Sequence, residues 1–365
     1  MANSLTNTSI RPTRRFTAPL CLLLTLISVR LAHAQVATNV PPLVPDAKPA
    51  TVEIVTIHGA SLVGNLSGEA ADRDAVVVLP PGYASNSRRR YPVIYALHGY
   101  SIGAQQWIKE IHVPQTVEGA FAKGAREMIV VFPDSKTSYG GSFYSQSVTT
   151  GDFESYVVHD VVQYIDRHYR TIPDRLSRGL VGHSMGGYGA ARLGMRHPEV
   201  FGSLYIMSGC CLSPMQANAL SPENVAAIEA LKSPADAANL SFPVKATLAT
   251  AAAWSPNPKR PPLYLDLPLK DGVVVPEVQA KWAANAPLAL LDQEVTNLRA
   301  YTAIAIDVGD QDGLRADAAK LDEALQRYGI PHSFEVYPGT HTSNVAFRIQ
   351  DYVLPFFSSH LRFTP

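Results

Sequence analysis

The hydrophobic positions of this chain fall into short continuous runs separated by stretches with helical spacing. Runs such as 75–79 and 93–97 are apolar on both faces, which is typical of strands in a sheet that helices cover on both sides. The repeated order of strand and helix predicts a mostly parallel central sheet, and therefore an α/β fold. The predicted strands are 52–57, 75–79, 93–97, 128–132, 180–181, 204–207, 302–308 and 333–337.

Two of the predicted helices carry clear start and stop signals. The segment 152–168 has apolar residues along one face, and Asp152 stands where an N-cap is expected. The segment 314–325 has a second apolar stripe, which Gly329 and Pro331 bring to an end.

Residues 212–298 break this alternation. They are rich in Ala and Pro, include the Pro-rich stretch 255–262 and contain no convincing strand. This composition predicts an insertion, partly helical and partly loop, that forms a cap over the functional site of the domain. Its bulkiest apolar residues are Trp254 and Trp282, which either line a pocket or anchor the cap; the helix-like surroundings of Trp282 favour anchoring for that residue.

The N-terminus has the features of a secretory signal peptide at residues 1–34. Arginines precede an apolar run at 18–29, and the small-residue sequence Ala32-His33-Ala34 follows it. Because this run is too short to cross a bilayer, we predict cleavage near Ala34, a secreted or periplasmic protein and no stable membrane insertion.

Composition and charge narrow the function further. The predicted leader carries four of the 31 basic residues and none of the 31 acidic ones, so the remaining chain has 27 basic and 31 acidic residues. This slightly acidic balance gives no reason to expect nucleic acid as a partner. With 46% hydrophobic residues, the chain is able to bury one large core. We predict a Pro-rich linker at 35–50 and a single domain at 51–365.

Cysteine usage predicts no disulfide framework. Cys21 belongs to the leader, and a bridge between the adjacent Cys210 and Cys211 is geometrically strained. A buried pair of thiols is the favoured interpretation, and a strained redox switch is the alternative.

The motif Gly182-His183-Ser184-Met185-Gly186 follows a short strand-like run. In a G-x-S-x-G pattern the serine lies on a sharp turn between a strand and a helix, where its hydroxyl projects from the edge of the sheet. Such motifs also arise by chance, but the strand before this one and the helix-forming residues after it favour a nucleophile elbow. Ser184 is therefore the predicted nucleophile.

A serine nucleophile needs a general base, and the histidines after Ser184 are the candidates. His341 lies in a glycine-containing loop directly after a predicted strand, which is where a nucleophile-elbow fold presents its base. The other three follow the elbow too closely, begin a strand or belong to the C-terminal tail: His197, His332 and His360. We predict His341 as the base.

Three aspartates near the end of the strand 302–308 compete for the role of the acid that orients the base. Asp307 still lies within the apolar run, and Asp310 lies in the middle of the following turn. Asp312 comes where the loop begins to fold back toward the sheet. The pattern favours Asp312 over Asp310.

The negative charge that develops on a substrate oxygen needs two backbone N–H donors. Met185, directly after the nucleophile, supplies the first, and Tyr100 in the loop His98-Gly99-Tyr100 supplies the second. The sequence contains no H-E-x-x-H, no C-x-x-C and no G-x-G-x-x-G after a strand, so we predict no metal and no cofactor.

Several of these segments together resemble the esterase D-like family of putative esterases, which contains S-formylglutathione hydrolases, feruloyl and acetyl esterases, and mycolyltransferases. The resemblance extends over roughly residues 51–357. The segments that carry it are 79–83 (LPPGY), 91–99 (YPVIYALHG), 141–144 (GSFY), 182–190 (GHSMGGYGA) and 197–201 (HPEVF).

The resemblance implies an α/β-hydrolase fold, no cofactor, and Ser184 as nucleophile. The family's acid follows a glycine by three residues, which matches Asp312 after Gly309. Its histidine lies in a loop near the C-terminus, as His341 does. A bulky residue after a His-Gly or Asp-Gly pair supplies an oxyanion amide, which matches Tyr100.

The sequence therefore predicts a secreted serine carboxylesterase that acts on a small-molecule or polysaccharide-linked ester. An acyltransferase of the mycolyltransferase type and a non-catalytic binding protein on a hydrolase scaffold are the alternatives. Family members differ most in the segment 212–298, so the substrate does not follow from the resemblance. The oligomeric state also stays open.

Overall fold

Eight strands form one central sheet in the computed structural model, which describes residue 1, residues 36–215 and residues 221–364. Apart from Met1, the predicted signal peptide lies outside the described residues. In chain order the described strands are β1 (Thr51–His58), β2 (Asp72–Leu79), β3 (Val93–Leu97), β4 (Ile129–Pro133), β5 (Gln146–Ser147), β6 (Gly151–Asp152), β7 (Arg178–His183), β8 (Ser203–Met207), β9 (Leu269–Lys270), β10 (Val273–Val274), β11 (Ala303–Gly309) and β12 (Ser333–Tyr337).

The central sheet has the strand order β1-β2-β4-β3-β7-β8-β11-β12. The six strands from β4 to β12 run parallel, whereas β1 and β2 are antiparallel to their neighbours. The prediction of a mostly parallel sheet in an α/β-hydrolase fold is confirmed. Because parallel strands end at the same edge, the loops after β3, β7, β11 and β12 converge there.

Helices cover both faces of the sheet, as the continuous apolar strands require. Alternate residues of β3 contribute to separate cores, with Val93 and Tyr95 in one and Ile94 and Ala96 in the other. The described helices are α1 (Gly82–Ser85), α2 (Ala104–Glu110), α3 (Gln115–Ala122), α4 (Phe153–Ser155), α5 (Val162–His168), α6 (Met185–Arg196), α7 (Pro222–Glu229), α8 (Phe242–Trp254), α9 (Pro276–Ala284), α10 (Pro287–Leu290), α11 (Val295–Arg299), α12 (Arg315–Arg327), α13 (Val345–Arg348) and α14 (Leu354–His360).

The helix predicted at 152–168 is present, and the N-cap prediction is confirmed. The Asp152 carboxylate accepts the backbone N–H of Ser155 at 2.9 Å. A π-helical turn at Tyr156–Val161 separates α4 from α5. In the described part of the chain no helix is long and apolar enough to cross a membrane.

The described residues of the insertion at 212–298 include the helices α7 to α10, most of α11 and a short hairpin, β9–β10. The expectation of an insertion that is partly helical and partly loop matches this arrangement, but the expectation of no strand is wrong. Each strand of the hairpin has only two residues, which is too short to leave a periodic pattern in the sequence.

Residues 36–50 contain no helix or strand, yet they are not a free linker. Val36 is buried, and the Ala50 N–H donates to the Glu118 carboxylate at 2.8 Å. The Gln115 amide donates to the Pro41 carbonyl at 2.7 Å. The segment therefore packs along the domain, although it has no core of its own.

A buried ionic cluster ties α6, the helix after Ser184, to α4. The Glu154 side chain is 6% exposed and pairs with Arg192, with Arg196 at 2.8 Å and with His197 at 2.9 Å. Burial by itself raises the pKa of Glu154, but the hydrogen bond from His197 and the charge of Arg192 outweigh it and hold the pKa at about 2.

We expect Glu154→Gln to lower the free energy of unfolding by about 3 kcal/mol at pH 7, because it leaves Arg192 buried without its counter-charge. A carboxylate whose folded pKa is depressed stabilises the protein above its unfolded pKa and loses that effect as pH falls through the folded pKa. The difference in free energy of unfolding between wild type and variant should therefore become smaller as the pH falls from 5 to 3. Urea unfolding at both pH values measures it.

Glu199→Gln is the matched control, because Glu199 contacts the same His197 at 3.1 Å but is 65% exposed. It should change stability little. An equal effect of the two substitutions would contradict the assignment of the stabilisation to the buried carboxylate.

Candidate active site

Ser184 lies on the sharp turn between β7 and α6 with φ +59° and ψ −116°. The flanking glycines are required by close approach of the backbone. A Cβ at Gly182 would lie 2.0 Å from the Gly186 carbonyl oxygen, and one at Gly186 would lie 1.9 Å from the Leu97 carbonyl oxygen. The G-x-S-x-G spacing thus allows the turn to pack against the end of β3.

Ser184, His341 and Asp312 form one line of hydrogen bonds. The His341 Nε2 atom lies 3.0 Å from the Ser184 Oγ atom, and the His341 Nδ1 atom lies 2.8 Å from the Asp312 Oδ2 atom. Because an ionised carboxylate only accepts hydrogen bonds, Nδ1 carries the proton and Nε2 is free to accept one from the serine. The line has the geometry that nucleophile activation needs.

Asp312 is buried, and its second oxygen accepts the Leu314 N–H at 2.9 Å. Burial raises the pKa of Asp312, but the hydrogen bonds from the His341 imidazole and from the Leu314 N–H outweigh burial and lower the pKa below its usual value. The Asp312 carboxyl group is therefore ionised at neutral pH, where it accepts the Nδ1 proton of His341.

The two competing aspartates have other contacts. Asp310 accepts the backbone N–H of Gly339 at 2.9 Å, so it fastens the loop before His341 rather than its imidazole. Asp307 is fully buried, accepts hydrogen bonds from Arg348 at 2.7 Å and Tyr205 at 2.8 Å, and burial raises its pKa to about 6. Of the three, the structure brings only Asp312 to His341.

The two predicted oxyanion donors belong to segments next to Ser184. Met185 is the first residue of α6, so its N–H has no carbonyl partner within the helix. A Cβ at Gly99 would lie 4.0 Å from the Ser184 Oγ atom, which places the loop that contains Tyr100 against the serine. The buried His98 supports this loop, because it contacts the Gly99 carbonyl at 2.8 Å and accepts the Ser135 N–H at 2.9 Å.

His183 contacts the loop that contains His341, and the sequence pattern did not single it out. Its Nε2 atom lies 2.8 Å from the His341 carbonyl oxygen, and the two rings lie 4.7 Å apart at 35°. A carbonyl only accepts, so the His183 Nε2 atom carries a proton and donates it. Burial lowers the pKa of His183 to about 3, which keeps it neutral as the solution is acidified. The only signal in the sequence was its place inside the elbow motif.

The insertion contributes a dense aromatic group beneath the site rather than an open pocket wall. Trp254 is 3% exposed, donates to the Ser145 hydroxyl at 3.3 Å and packs against Phe143 and Tyr188. Trp282 is 1% exposed and donates to the Ser255 hydroxyl at 2.8 Å. Both tryptophans therefore anchor the insertion by packing and do not line an open pocket.

Phe242 is the residue of the insertion that extends to the predicted oxyanion loop. Its ring meets the Tyr100 ring edge to face, with centroids 5.4 Å apart at 80°. Although apolar, the side chain is 56% exposed. An exposed aromatic ring that packs against Tyr100 is a surface on which an apolar group can pack.

The remaining chemistry near the elbow is limited. Cys210 and Cys211 are free thiols, both partly buried, and the Cys210 N–H donates to the Ser184 carbonyl at 3.1 Å. Within residues 36–215 and 221–364, no group of three or more His, Cys, Asp or Glu side chains is placed to hold a metal ion.

We expect Asp312→Asn to reduce kcat by about four orders of magnitude, because an amide in this position no longer fixes the productive tautomer of His341. Asp310→Asn is the matched control two residues away, since its contact is with a backbone amide. It should cost about tenfold or less. Steady-state hydrolysis of an aryl acetate measures both, and a more severe loss in the Asp310 variant would exchange the two assignments.

Comparison with known proteins gives one family and a consistent fold. The sequence profile of the family described as "Putative esterase" matches residues 70–350. An endo-1,4-beta-xylanase/feruloyl esterase of Xylanibacter ruminicola is 30% identical over 149 residues, which are 38% of this chain and 20% of that protein. An esterase of Mycobacterium tuberculosis is 28% identical over 137 residues, which are 36% of this chain and 28% of that protein.

Solved structures resemble the whole domain. A ferulic acid esterase has a TM-score of 0.61 at 23% identity, covering 86% of this chain and 99% of its own. An S-formylglutathione hydrolase from Staphylococcus aureus has a TM-score of 0.56 at 16% identity, covering 86% of this chain and 100% of its own. At these identities the likeness establishes the fold, while the profile covers well over half of the sequence. The chain belongs to the Putative esterase family.

Proposed function

We propose that this protein is a secreted serine carboxylesterase that works through an acyl-enzyme. The observation that carries the proposal is the hydrogen-bond line from Ser184 through His341 to Asp312, at 3.0 Å and 2.8 Å. Membership of an esterase family supports the same reaction class. A binding protein without activity would need no such alignment of a hydroxyl, an imidazole and a carboxylate.

Acylation starts when the Ser184 hydroxyl attacks the ester carbonyl and its proton moves to the Nε2 atom of His341. The resulting imidazolium is stabilised by the ionised Asp312, which accepts its Nδ1 proton. The proton on Nε2 then goes to the alcohol oxygen as the carbon–oxygen bond of the ester breaks. The alcohol leaves, and the acyl group stays on Ser184.

Deacylation repeats these steps with water. His341 takes a proton from the water, the hydroxyl oxygen attacks the acyl carbon, and the proton returns to Ser184 as the carboxylic acid leaves. In each step the N–H groups of Met185 and Tyr100 donate hydrogen bonds that stabilise the negative charge on the carbonyl oxygen. Because both donors belong to the backbone, they are already oriented before the charge develops.

The proposed substrates are small-molecule or polysaccharide-linked esters. The feruloyl esterase activity named for the Xylanibacter ruminicola relative supports esters of this kind. A secreted or periplasmic location, proposed from the leader sequence, agrees with an ester too large to enter the cell. Transfer of the acyl group to a sugar alcohol instead of water is the competing reaction, and product analysis with a sugar acceptor present separates the two.

We expect Ser184→Ala to fold as the wild type does and to lose ester hydrolysis by roughly four to six orders of magnitude. A fluorophosphonate probe should modify the wild type at Ser184 alone, as peptide mass spectrometry will show. Ser87→Ala is the control, since Ser87 is an exposed loop serine. Labelling or full activity in the Ser184→Ala variant would refute the nucleophile.

We expect Phe242→Ala to change the preference among acyl groups. Aromatic contacts contribute about 0.5–1.5 kcal/mol, so kcat/KM for methyl ferulate and long-chain aryl esters should fall about twofold to tenfold. Hydrolysis of the small acetyl ester should stay close to wild type, because its acyl group does not extend to the ring.

Val273→Ala is the control for this prediction, because Val273 is a 68% exposed apolar residue of the insertion on the β9–β10 hairpin. It should leave the ranking of esters unchanged. A uniform loss over the whole ester panel in the Phe242 variant, with a lower Tm, would show that Phe242 only packs.

A further inference from the structure

The first described residues after the predicted cleavage site lie along the loop that contains the proposed base. We call residues 36–40 the N-terminal strap and residues 338–344 the histidine loop. Val36 is 5% exposed, and its N–H donates to the Glu110 carboxylate at 2.8 Å. This contact fixes the start of the strap on the domain, so the residues that follow are held in place.

The strap and the histidine loop share one backbone hydrogen bond and two that involve side chains of the strap. The Asn39 N–H donates to the Ser343 carbonyl at 2.7 Å. The Thr38 hydroxyl donates to the same carbonyl at 3.3 Å, and the Asn39 amide group donates to the Asn344 side-chain oxygen at 3.0 Å. These residues are about 300 positions apart in the sequence, so the contact exists only in the folded chain.

Thr38 also caps the helix that follows the histidine loop. The N–H of Ala346, in the first turn of α13, donates to the Thr38 hydroxyl at 3.1 Å. Asn344 stands at the N-cap of α13, but its side chain makes no capping hydrogen bond. Its amide donates instead to the Pro338 carbonyl at 2.8 Å. A residue from the other end of the chain therefore satisfies a first-turn donor that is normally capped locally.

Hydrogen bonds within the histidine loop connect the residues that contact the strap to the neighbour of His341. The Ser343 hydroxyl accepts the N–H of Thr340 at 2.9 Å, and Thr340 directly precedes the histidine. Asn344 and Pro338 connect the two ends of the loop. The strap thus holds both the end of the loop and the start of the next helix, while the imidazole bonds to Ser184 and Asp312.

The other supports of the loop come from different directions. His183, in the elbow, donates to the His341 carbonyl, and Asp310, in the loop after β11, accepts the Gly339 N–H. These two hydrogen bonds hold the start and the middle of the loop. Within the described residues, the hydrogen bonds of Thr38 and Asn39 tie the segment 343–346 to the strap.

We propose that Thr38 and Asn39 are positioning residues for the general base, acting through the histidine loop. The inference rests on the proposed function, since it assigns a role in the same site. Misplacement of a reacting group by about 1 Å costs up to about a hundredfold in rate. The strap contacts hold the loop but not the imidazole itself, so losing them should cost less than that limit and should act on kcat rather than on KM.

The test compares Thr38→Val, Thr38→Ser and Asn39→Ala with wild type, using an aryl acetate at a temperature well below the Tm of each protein. Val keeps the shape of Thr without its hydroxyl, and Ser keeps the hydroxyl. The double variant of Thr38→Val and Asn39→Ala should lower kcat about tenfold with KM little changed, and slow phosphonate labelling of Ser184 in proportion. Thr38→Ser should retain the activity of wild type.

Leu43→Ala is the matched control, because Leu43 is 78% exposed and belongs to the same N-terminal segment. It should change neither kcat nor labelling. Proton NMR gives a readout that stability alone does not change, because the His341 Nδ1 proton in the hydrogen bond to Asp312 should broaden or shift in the double variant while the protein stays folded.

A double variant with unchanged kcat and an unchanged Nδ1 resonance would overturn the proposal, even if its Tm fell. Equal loss in Thr38→Ser and Thr38→Val would also overturn it, because the hydroxyl would then play no part. An inactive wild type would instead count against the esterase function itself, so the two failures are distinguishable.

Discussion

The close packing of the backbone around Ser184 is the constraint on which the rest of the site depends. With φ at +59°, this residue has a conformation that L-amino acids rarely adopt, at a cost of about 1–3 kcal/mol. The turn persists because Gly186 lies against the carbonyl of Leu97, and because α6 is fixed by Glu154 through Arg192. Close backbone packing at the end of β3 and the buried Glu154–Arg192 ion pair therefore hold the strained turn that presents the hydroxyl.

The proposed base is placed by quite different means. His341 lies in a loop rather than in a strand or helix, so its position depends on hydrogen bonds from several parts of the chain. His183 comes from the elbow, Asp310 and Asp312 come from the loop after β11, and Asn39 comes from the strap. A rigid sheet thus presents Ser184, the proposed nucleophile, whereas a set of polar contacts presents His341, the proposed base.

Much of the fold and the core of the candidate site could be predicted from the sequence, because their signals are local. Continuous apolar runs marked the strands, and Ser184 and His341 each stood in a short motif with a physical reason. Asp312 was harder, because Asp310 lies only two residues away. The local pattern favoured one of them, and the resemblance to a family gave independent support.

The residues that were missed act through contacts between distant parts of the chain. Thr38 and Asn39 lie in a Pro-containing segment that has the composition of a linker, and nothing nearby indicates their partners about 300 residues away. Periodicity describes an element and its buried face, but it carries no information about which loops will meet.

The position of the insertion in the chain affects how such a protein can evolve. It leaves the sheet after β8 and returns at β11, and these two strands are neighbours, with Met207 paired to Asp307. None of Ser184, Asp312, His341 or the two proposed amide donors lies within residues 212–298. The inserted surface and the groups proposed for the chemistry are thus encoded in separate stretches of the gene. Exchange of the inserted stretch between relatives would give a chimera with a new substrate range and the inherited chemistry.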